Sequence, residues 1–157
     1  MIHLPDEDAT ARLAAFLAPR LPEGSVLLLQ GPMGAGKTTF VRHLARALGF
    51  SGRVTSPTYT LMHAYPTPGG TLLHVDVHRL PDPEALYDLG YEDAAAAARL
   101  TVIEWGRSEN FPALAALALE PGAAPDERRA RWLPLAAEAR SIGAALAAAF
   151  PSAPAAG

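Results

Sequence analysis

Apolar residues fall along this chain in two patterns. Short runs, apolar apart from Thr101 and bounded by polar or turn-forming residues, occur at 26–29, 100–103 and 114–119. The first reads as a buried strand and the other two as further strands. A further run at 71–76 ends in Asp76, and a turn at 66–70 separates it from 59–65, so an antiparallel hairpin over 59–65 and 71–77 is expected. A last strand is expected at 131–135. In the second pattern, apolar positions recur at helical spacing. Leu13, Phe16 and Leu17 share one face of a helix over 9–17 that Asp6 or Asp8 can cap and Pro19 ends. Residues 40–49 read as an amphipathic helix closing at Gly49, and 83–89, 91–98 and 136–150 read as further helices. Buried strands alternating with helices imply an α/β fold, a three-layer sandwich with a mixed central sheet and helices on both faces. At 157 residues and 50 % apolar, one domain over 1–150 is expected, with a disordered tail at 151–157.

The loop after the first buried strand carries the clearest chemistry. Gly31-Pro32-Met33-Gly34-Ala35-Gly36-Lys37-Thr38 fits G-x-x-x-x-G-K-[ST], and it lies between a strand and a helix as that motif requires. Glycines let successive backbone N–H groups turn onto a phosphate, and the helix N-terminus adds about half a positive charge. The motif therefore assigns Gly31, Met33, Gly34, Ala35, Gly36, Lys37, Thr38 and Thr39 to a nucleotide, with Lys37 on its β- and γ-phosphates and the Thr38 hydroxyl on Mg²⁺. Composition sharpens this reading: twelve of the thirteen basic residues are arginine, and Lys37 is the only lysine. A compact ammonium binds phosphate as a point charge, which a planar guanidinium does not reproduce in a tight loop. The same scarcity leaves no second lysine for a guanine-reading Asn-Lys-x-Asp motif, so ATP is the expected nucleotide.

Two carboxylates sit at strand ends. Asp76 closes the run at 71–76 and Glu104 the run at 100–104, each as an acid presented to Mg²⁺ or its water shell would. Between P-loop and hairpin, Thr55, Ser56 and Thr58 form a hydroxyl-rich segment of the kind that senses a γ-phosphate or simply caps a turn. His74 and His78, four apart on a presumed strand, share a face but lack a third ligand for a metal, and read as structural or active-site polar residues. A net charge of −3, with no basic cluster beyond Arg128, Arg129 and Arg131, argues against a nucleic-acid footprint. The absence of cysteine excludes disulfides and thiolate chemistry. No signal-peptide pattern opens the chain and no apolar run approaches about 18 residues, so a cytoplasmic location is expected.

Taken together the motifs resemble the TsaE (YjeE) family, bacterial ATPases that assist threonylcarbamoyladenosine modification of tRNA. The resemblance spans roughly residues 4–142. It rests on Gly-Ala-Gly-Lys-Thr-Thr at 34–39, Ser-Pro-Thr-Tyr-Thr-Leu at 56–61, His-x-Asp-x-x-Arg-Leu at 74–80, Asp-Pro-Glu at 82–84, Leu-Gly at 89–90 and Glu-Trp at 104–105. It implies an ATP site with Lys37 on phosphate and Thr38 and Glu104 on Mg²⁺. Asp76 would orient the attacking water or bind Mg²⁺ through water, making Asp76, Lys37 and Glu104 the catalytic set. It also implies that the segment from Glu7 to Thr10 borders the adenine and that an arginine of 127–131, Arg128 or Arg129, reaches the nucleotide. The implied partners are the TsaD and TsaB proteins, whose complex ATP hydrolysis would reset, with the ATPase slow on its own. A small-molecule kinase and a nucleotide-gated binding module are the alternatives.

Overall fold

The computed structural model describes residues 1–57, 61–80 and 82–152. Thr58, residues 59–60 of the expected hairpin and the tail at 153–157 lie outside the described residues. In chain order the elements are β1 (Ile2–Leu4), α1 (Glu7–Leu17), β2 (Ser25–Gln30), α2 (Lys37–Ala47), β3 (Met62–Thr67), β4 (Gly70–Asp76), α3 (Glu84–Asp88), α4 (Tyr91–Ala97), β5 (Leu100–Glu104), β6 (Ala115–Pro121), β7 (Arg128–Pro134) and α5 (Ala139–Ala149). All seven strands join one sheet in the order β1-β7-β6-β2-β5-β4-β3. The central strands β6, β2, β5 and β4 run parallel, whereas β3 at one edge and β7 near the other pair antiparallel.

Strand periodicity sorts the core onto two faces. Leu27 and Leu29 of β2, Leu72 of β4, Leu100 and Val102 of β5 and Leu117 of β6 pack with Leu13 of α1, Phe40 and Leu44 of α2 and Leu146 of α5. Their sequence neighbours Leu28, Leu73, Val75, Ile103 and Ala116 point the other way, onto Leu86, Tyr91 and Phe111. Side chains on a strand alternate sides, so an unbroken apolar run serves two cores only where helices cover both faces. The mixed sheet with helices on both faces agrees with the expected α/β sandwich. Each leucine buried here contributes about 1.5–3 kcal/mol relative to an exposed one.

Several boundaries differ from the sequence expectation, each for an identifiable reason. β1 was not foreseen, since three residues are too few for a period; it pairs with β7 through Ile2↔Ala130 and Leu4↔Arg128, and its other edge is taken by Pro151, whose carbonyl accepts from the His3 N–H at 3.0 Å. The hairpin turn narrows to residues 68–69, leaving Pro66 inside β3; an edge strand tolerates that residue because one of its backbone rows has no ladder to complete. β7 starts three residues earlier than the expected 131, and α5 is shorter than 136–150. At the start of α1, Asp6 rather than Asp8 is the cap: its Oδ1 accepts the Ala9 N–H at 2.8 Å. Asp6→Ala should lower stability by about 1 kcal/mol, read as a shift in denaturant midpoint at constant slope.

Candidate functional site

The P-loop is built by left-handed backbone. Gly31, Gly34 and Gly36 have φ of 138°, 79° and 93°, and Gly36 is the residue from which α2 springs. The helix consequently opens at Lys37, three residues before the apolar pattern announces it, and Lys37, Thr38 and Thr39 form its first turn. At Gly31 a Cβ would lie 2.2 Å from the Leu119 carbonyl oxygen, a backbone atom of the adjacent strand. Gly31→Ala should therefore displace the loop from β6 and cost several kcal/mol of stability, on the scale of the larger point-mutant effects; an unchanged melting temperature would refute this.

Lys37 is almost fully buried. Its ammonium donates to the carbonyls of Gly31 at 2.6 Å and Pro32 at 2.9 Å and lies 4.0 Å from the centre of the Trp105 ring. The other part of this stack is His78, 4.1 Å from Trp105 and nearly parallel to it. Trp105 holds a φ of 67°, rare for a bulky residue, which turns the chain sharply at the end of β5. Burial pushes the Lys37 pKa below its ordinary value, and attraction to Glu104 and Asp76 opposes that shift.

The two acids converge because their strands are neighbours in register. β4 and β5 are parallel with Asp76 opposite Glu104. Leu72, His74 and Asp76 alternate onto the face that α2 covers, as do Leu100, Val102 and Glu104, so two-residue spacing puts His74 and both acids on the P-loop side. Asp76, His74 and Glu104 are all buried. The Thr38 hydroxyl donates to Glu104, 3.3 Å from Oε1 and 3.2 Å from Oε2. Asp76 Oδ1 accepts the His78 N–H at 2.8 Å. β4 ends at Asp76, so His78 does not share the strand face of His74; it lies in the following turn, against Trp105.

Lys37, Thr38, Asp76 and Glu104 border one cavity of about 380 Å³, together with Met33, Gly34, Ala35, Gly36 and Thr39 of the P-loop, Ser56, His78, Trp105 and two arginines, Arg79 and Arg128. A smaller recess next to it is lined by Glu7, Thr10, Thr39, Asp126 and Arg128. Strand alternation decides between the two candidate arginines, Arg128 and Arg129. Arg128 points at the P-loop, its Nε donating to the Ala35 carbonyl at 3.0 Å and its Nη1 to Pro125 and Glu127 carbonyls at 2.7 Å. Arg129 projects from the opposite face, with a buried Nε that has no hydrogen-bond partner among the described residues. Thr10 is buried, whereas Glu7 is engaged with α2 through Arg42 at 2.7 Å and His43 at 3.0 Å. Those hydrogen bonds, His43 first, hold its carboxyl below the ordinary range.

Sequence reasoning passed over Arg79, Asp126 and Tyr65. Asp126 and Arg79 carried no motif signal apart from the latter's place in His-x-Asp-x-x-Arg-Leu. Tyr65 looked like any strand aromatic, yet its hydroxyl lies 3.0 Å from the Thr55 carbonyl and 3.3 Å from His74 Nδ1. Of the hydroxyl segment, Ser56 borders the main cavity.

Among the described residues no cluster of three or more His, Cys, Asp or Glu forms a ready metal cage. One hydroxyl and one or two carboxylates beside a phosphate-sized loop suit Mg²⁺, which takes few protein ligands and completes its shell with phosphate oxygens and water. No helix among the described residues is long and apolar enough to cross a membrane.

Comparison with known proteins gives the chain's relatives. The family model for the threonylcarbamoyl adenosine biosynthesis protein TsaE matches residues 4–130. Among curated relatives, all bearing the name tRNA threonylcarbamoyladenosine biosynthesis protein TsaE, the Treponema pallidum protein is 44 % identical over 99 residues, 62 % of this chain and 71 % of its own. The Rickettsia felis protein is 40 % identical over 106 residues, 67 % of this chain and 61 % of its own length. The Synechocystis protein is 40 % identical over 116 residues, 71 % of each chain. In three dimensions the crystal structure of Bacillus subtilus YdiB superposes with a TM-score of 0.75, covering 93 % of this chain and 95 % of that one at 24 % identity, a likeness of fold.

Proposed function

We propose, proceeding from the fact that this chain belongs to the TsaE family of threonylcarbamoyl adenosine biosynthesis proteins, that it is a Mg²⁺-dependent ATPase serving that tRNA modification. The observation that supports this reading best is the convergence of the P-loop, Lys37, Thr38, Glu104 and Asp76 on one cavity. Mg²⁺, when bound, supplies charge neutralisation between phosphates. Thr38 and Glu104 are the residues that would hold it. The loop N–H groups and Lys37 bind and orient the phosphates, and in phosphoryl transfer such positioning and electrostatic stabilisation make up most of catalysis. Asp76 reaches the same space from the neighbouring strand and would orient the attacking water. The smaller recess lies beside the loop, and its lining by Glu7, Thr10, Thr39 and Arg128 supports the family resemblance's expectation that Glu7 to Thr10 border the base.

The engagement of Arg128 supports slow turnover by the protein alone. Arg128 borders the cavity, but three backbone carbonyls hold its guanidinium at the loop. An arginine so engaged is not free to meet the charge that develops on a γ-phosphate, and without that contribution P-loop hydrolysis is slow. A partner complex would then supply or release what is missing, and the family resemblance gives that complex as TsaD with TsaB, reset by hydrolysis. The test is steady-state Mg²⁺-ATP hydrolysis by the protein alone, with small-molecule acceptors, and with purified TsaD–TsaB. Stimulation by the protein complex only is the expected result. Phosphate transfer to a small acceptor would make the protein a kinase, and binding without stimulated turnover would make it a nucleotide-gated module.

A further inference from the structure

The buried carboxylate of Glu104 has a second partner that the nucleotide reading does not use. His74, with no solvent exposure at all, places Nε2 2.5 Å from Glu104 Oε2. Thr38 cannot by itself set the plane of this carboxylate, because its hydroxyl is almost equidistant from the two oxygens. A terminal carboxylate torsion is broad and nearly two-fold, so some other contact must choose the orientation. In the tautomer with its proton on Nε2, His74 donates to Oε2 and leaves Oε1 as the oxygen without an imidazole partner. Nδ1 then accepts from the Tyr65 hydroxyl at 3.3 Å, whose proton otherwise serves the Thr55 carbonyl at 3.0 Å. Tyr65 is itself buried and packs its ring on Phe50, 4.9 Å between centres. Tyr65 has one hydroxyl proton, so its bonds to His74 and to the Thr55 carbonyl alternate, and the bond to His74 is the one that bears on Glu104.

We propose that His74, braced by Tyr65, is a positioning residue that orients Glu104 for the divalent cation. The inference rests on the assignment of Glu104 to the cation. Partners behind a metal ligand typically change metal affinity 10–100-fold when removed, and that scale sets the expectation.

The experiment measures Mn²⁺ binding to the full-length protein–ADP complex by electron paramagnetic resonance, alongside ADP affinity in EDTA. It uses His74→Ala, His74→Gln, Tyr65→Phe and, as reference, Glu104→Gln. His74→Ala should weaken Mn²⁺ about 10–100-fold while ADP affinity in EDTA stays unchanged. His74→Gln, which returns an N–H donor at similar reach, should recover part of the loss. Tyr65→Phe should weaken Mn²⁺ by roughly 2–10-fold, the scale of one neutral hydrogen bond.

If Glu104→Gln weakens Mn²⁺ and folded His74→Ala does not, the positioning role is wrong and the cation assignment stands. An unchanged constant in Glu104→Gln overturns both. Equal loss of ADP affinity with and without cation in His74→Ala reduces His74 to a structural part. Should His74→Ala fail to fold, Tyr65→Phe decides, because it preserves the ring packing; an unchanged Mn²⁺ constant there overturns the proposal.

Discussion

Lys37→Ala is expected to lower ATP affinity by about 10²-fold or more while leaving the protein folded. A hydrogen bond to a charged group is worth about 1.5–3 kcal/mol and tenfold in affinity about 1.4 kcal/mol, so two phosphate contacts correspond to 10²–10⁴-fold. The lower end is the better expectation, since in the free protein the ammonium already donates to the Gly31 and Pro32 carbonyls and rests on Trp105. Those contacts must be released before phosphate is bound. Lys37→Arg should not rescue binding, because the planar fork is too wide for a site shaped around a point charge. Isothermal titration with a non-hydrolysable ATP analogue checks this, and retained affinity in a folded Lys37→Ala variant would remove the loop from the phosphate site.

The depressed pKa of Lys37 adds a pH dependence with a definite sign. Binding needs the ammonium, so affinity should begin to fall at a pH below the ordinary lysine value of 10.5. The free protein behaves oppositely. A lowered lysine pKa means the unfolded chain holds the proton more tightly, so the folding cost of that buried charge diminishes as pH rises through the folded-state value. Affinity and the Lys37 contribution to stability therefore have opposite slopes over the same window, and parallel titration and melting series would show it.

Asp76→Asn is expected to keep ATP binding and lose turnover by about 10²–10⁴-fold, the scale of a positioned general base. Asparagine is the informative choice because it retains an Oδ1 able to accept the His78 N–H, the contact that shapes the turn after β4. A loss then reports on the charge and basicity of the carboxylate rather than on a collapsed turn. Single-turnover hydrolysis at saturating ATP checks it, with binding measured separately. Normal turnover would return Asp76 to the structural role of anchoring residues 77–78.

How far the site could be read from the chain depended on how local each part is. The P-loop was legible because its strand, glycines, lysine and helix are contiguous, and a left-handed turn at Gly31, Gly34 and Gly36 needs no distant residue to be recognised. Asp76 and Glu104 were each visible as an acid at the end of an apolar strand. Their meeting was not, since it requires β4 and β5 to be adjacent, parallel and in register. The first strand escaped for the opposite reason: Ile2–Leu4 is a strand only because β7 and the backbone at Pro151 offer it partners.

By itself the sequence determined the α/β class, the order of strands and helices, the P-loop motif and the candidate side chains Lys37, Thr38, Asp76 and Glu104. These follow from period, backbone freedom and charge, which are properties of neighbouring residues. Only the tertiary structure decided that Arg128 rather than Arg129 faces the loop. It likewise decided that Glu7 turns to Arg42 and His43, that His78 leaves the strand to stack on Trp105, and that Tyr65 and His74 stand behind Glu104. Each of those outcomes depends on the register of one strand against another, where a shift of a single residue exchanges the two faces.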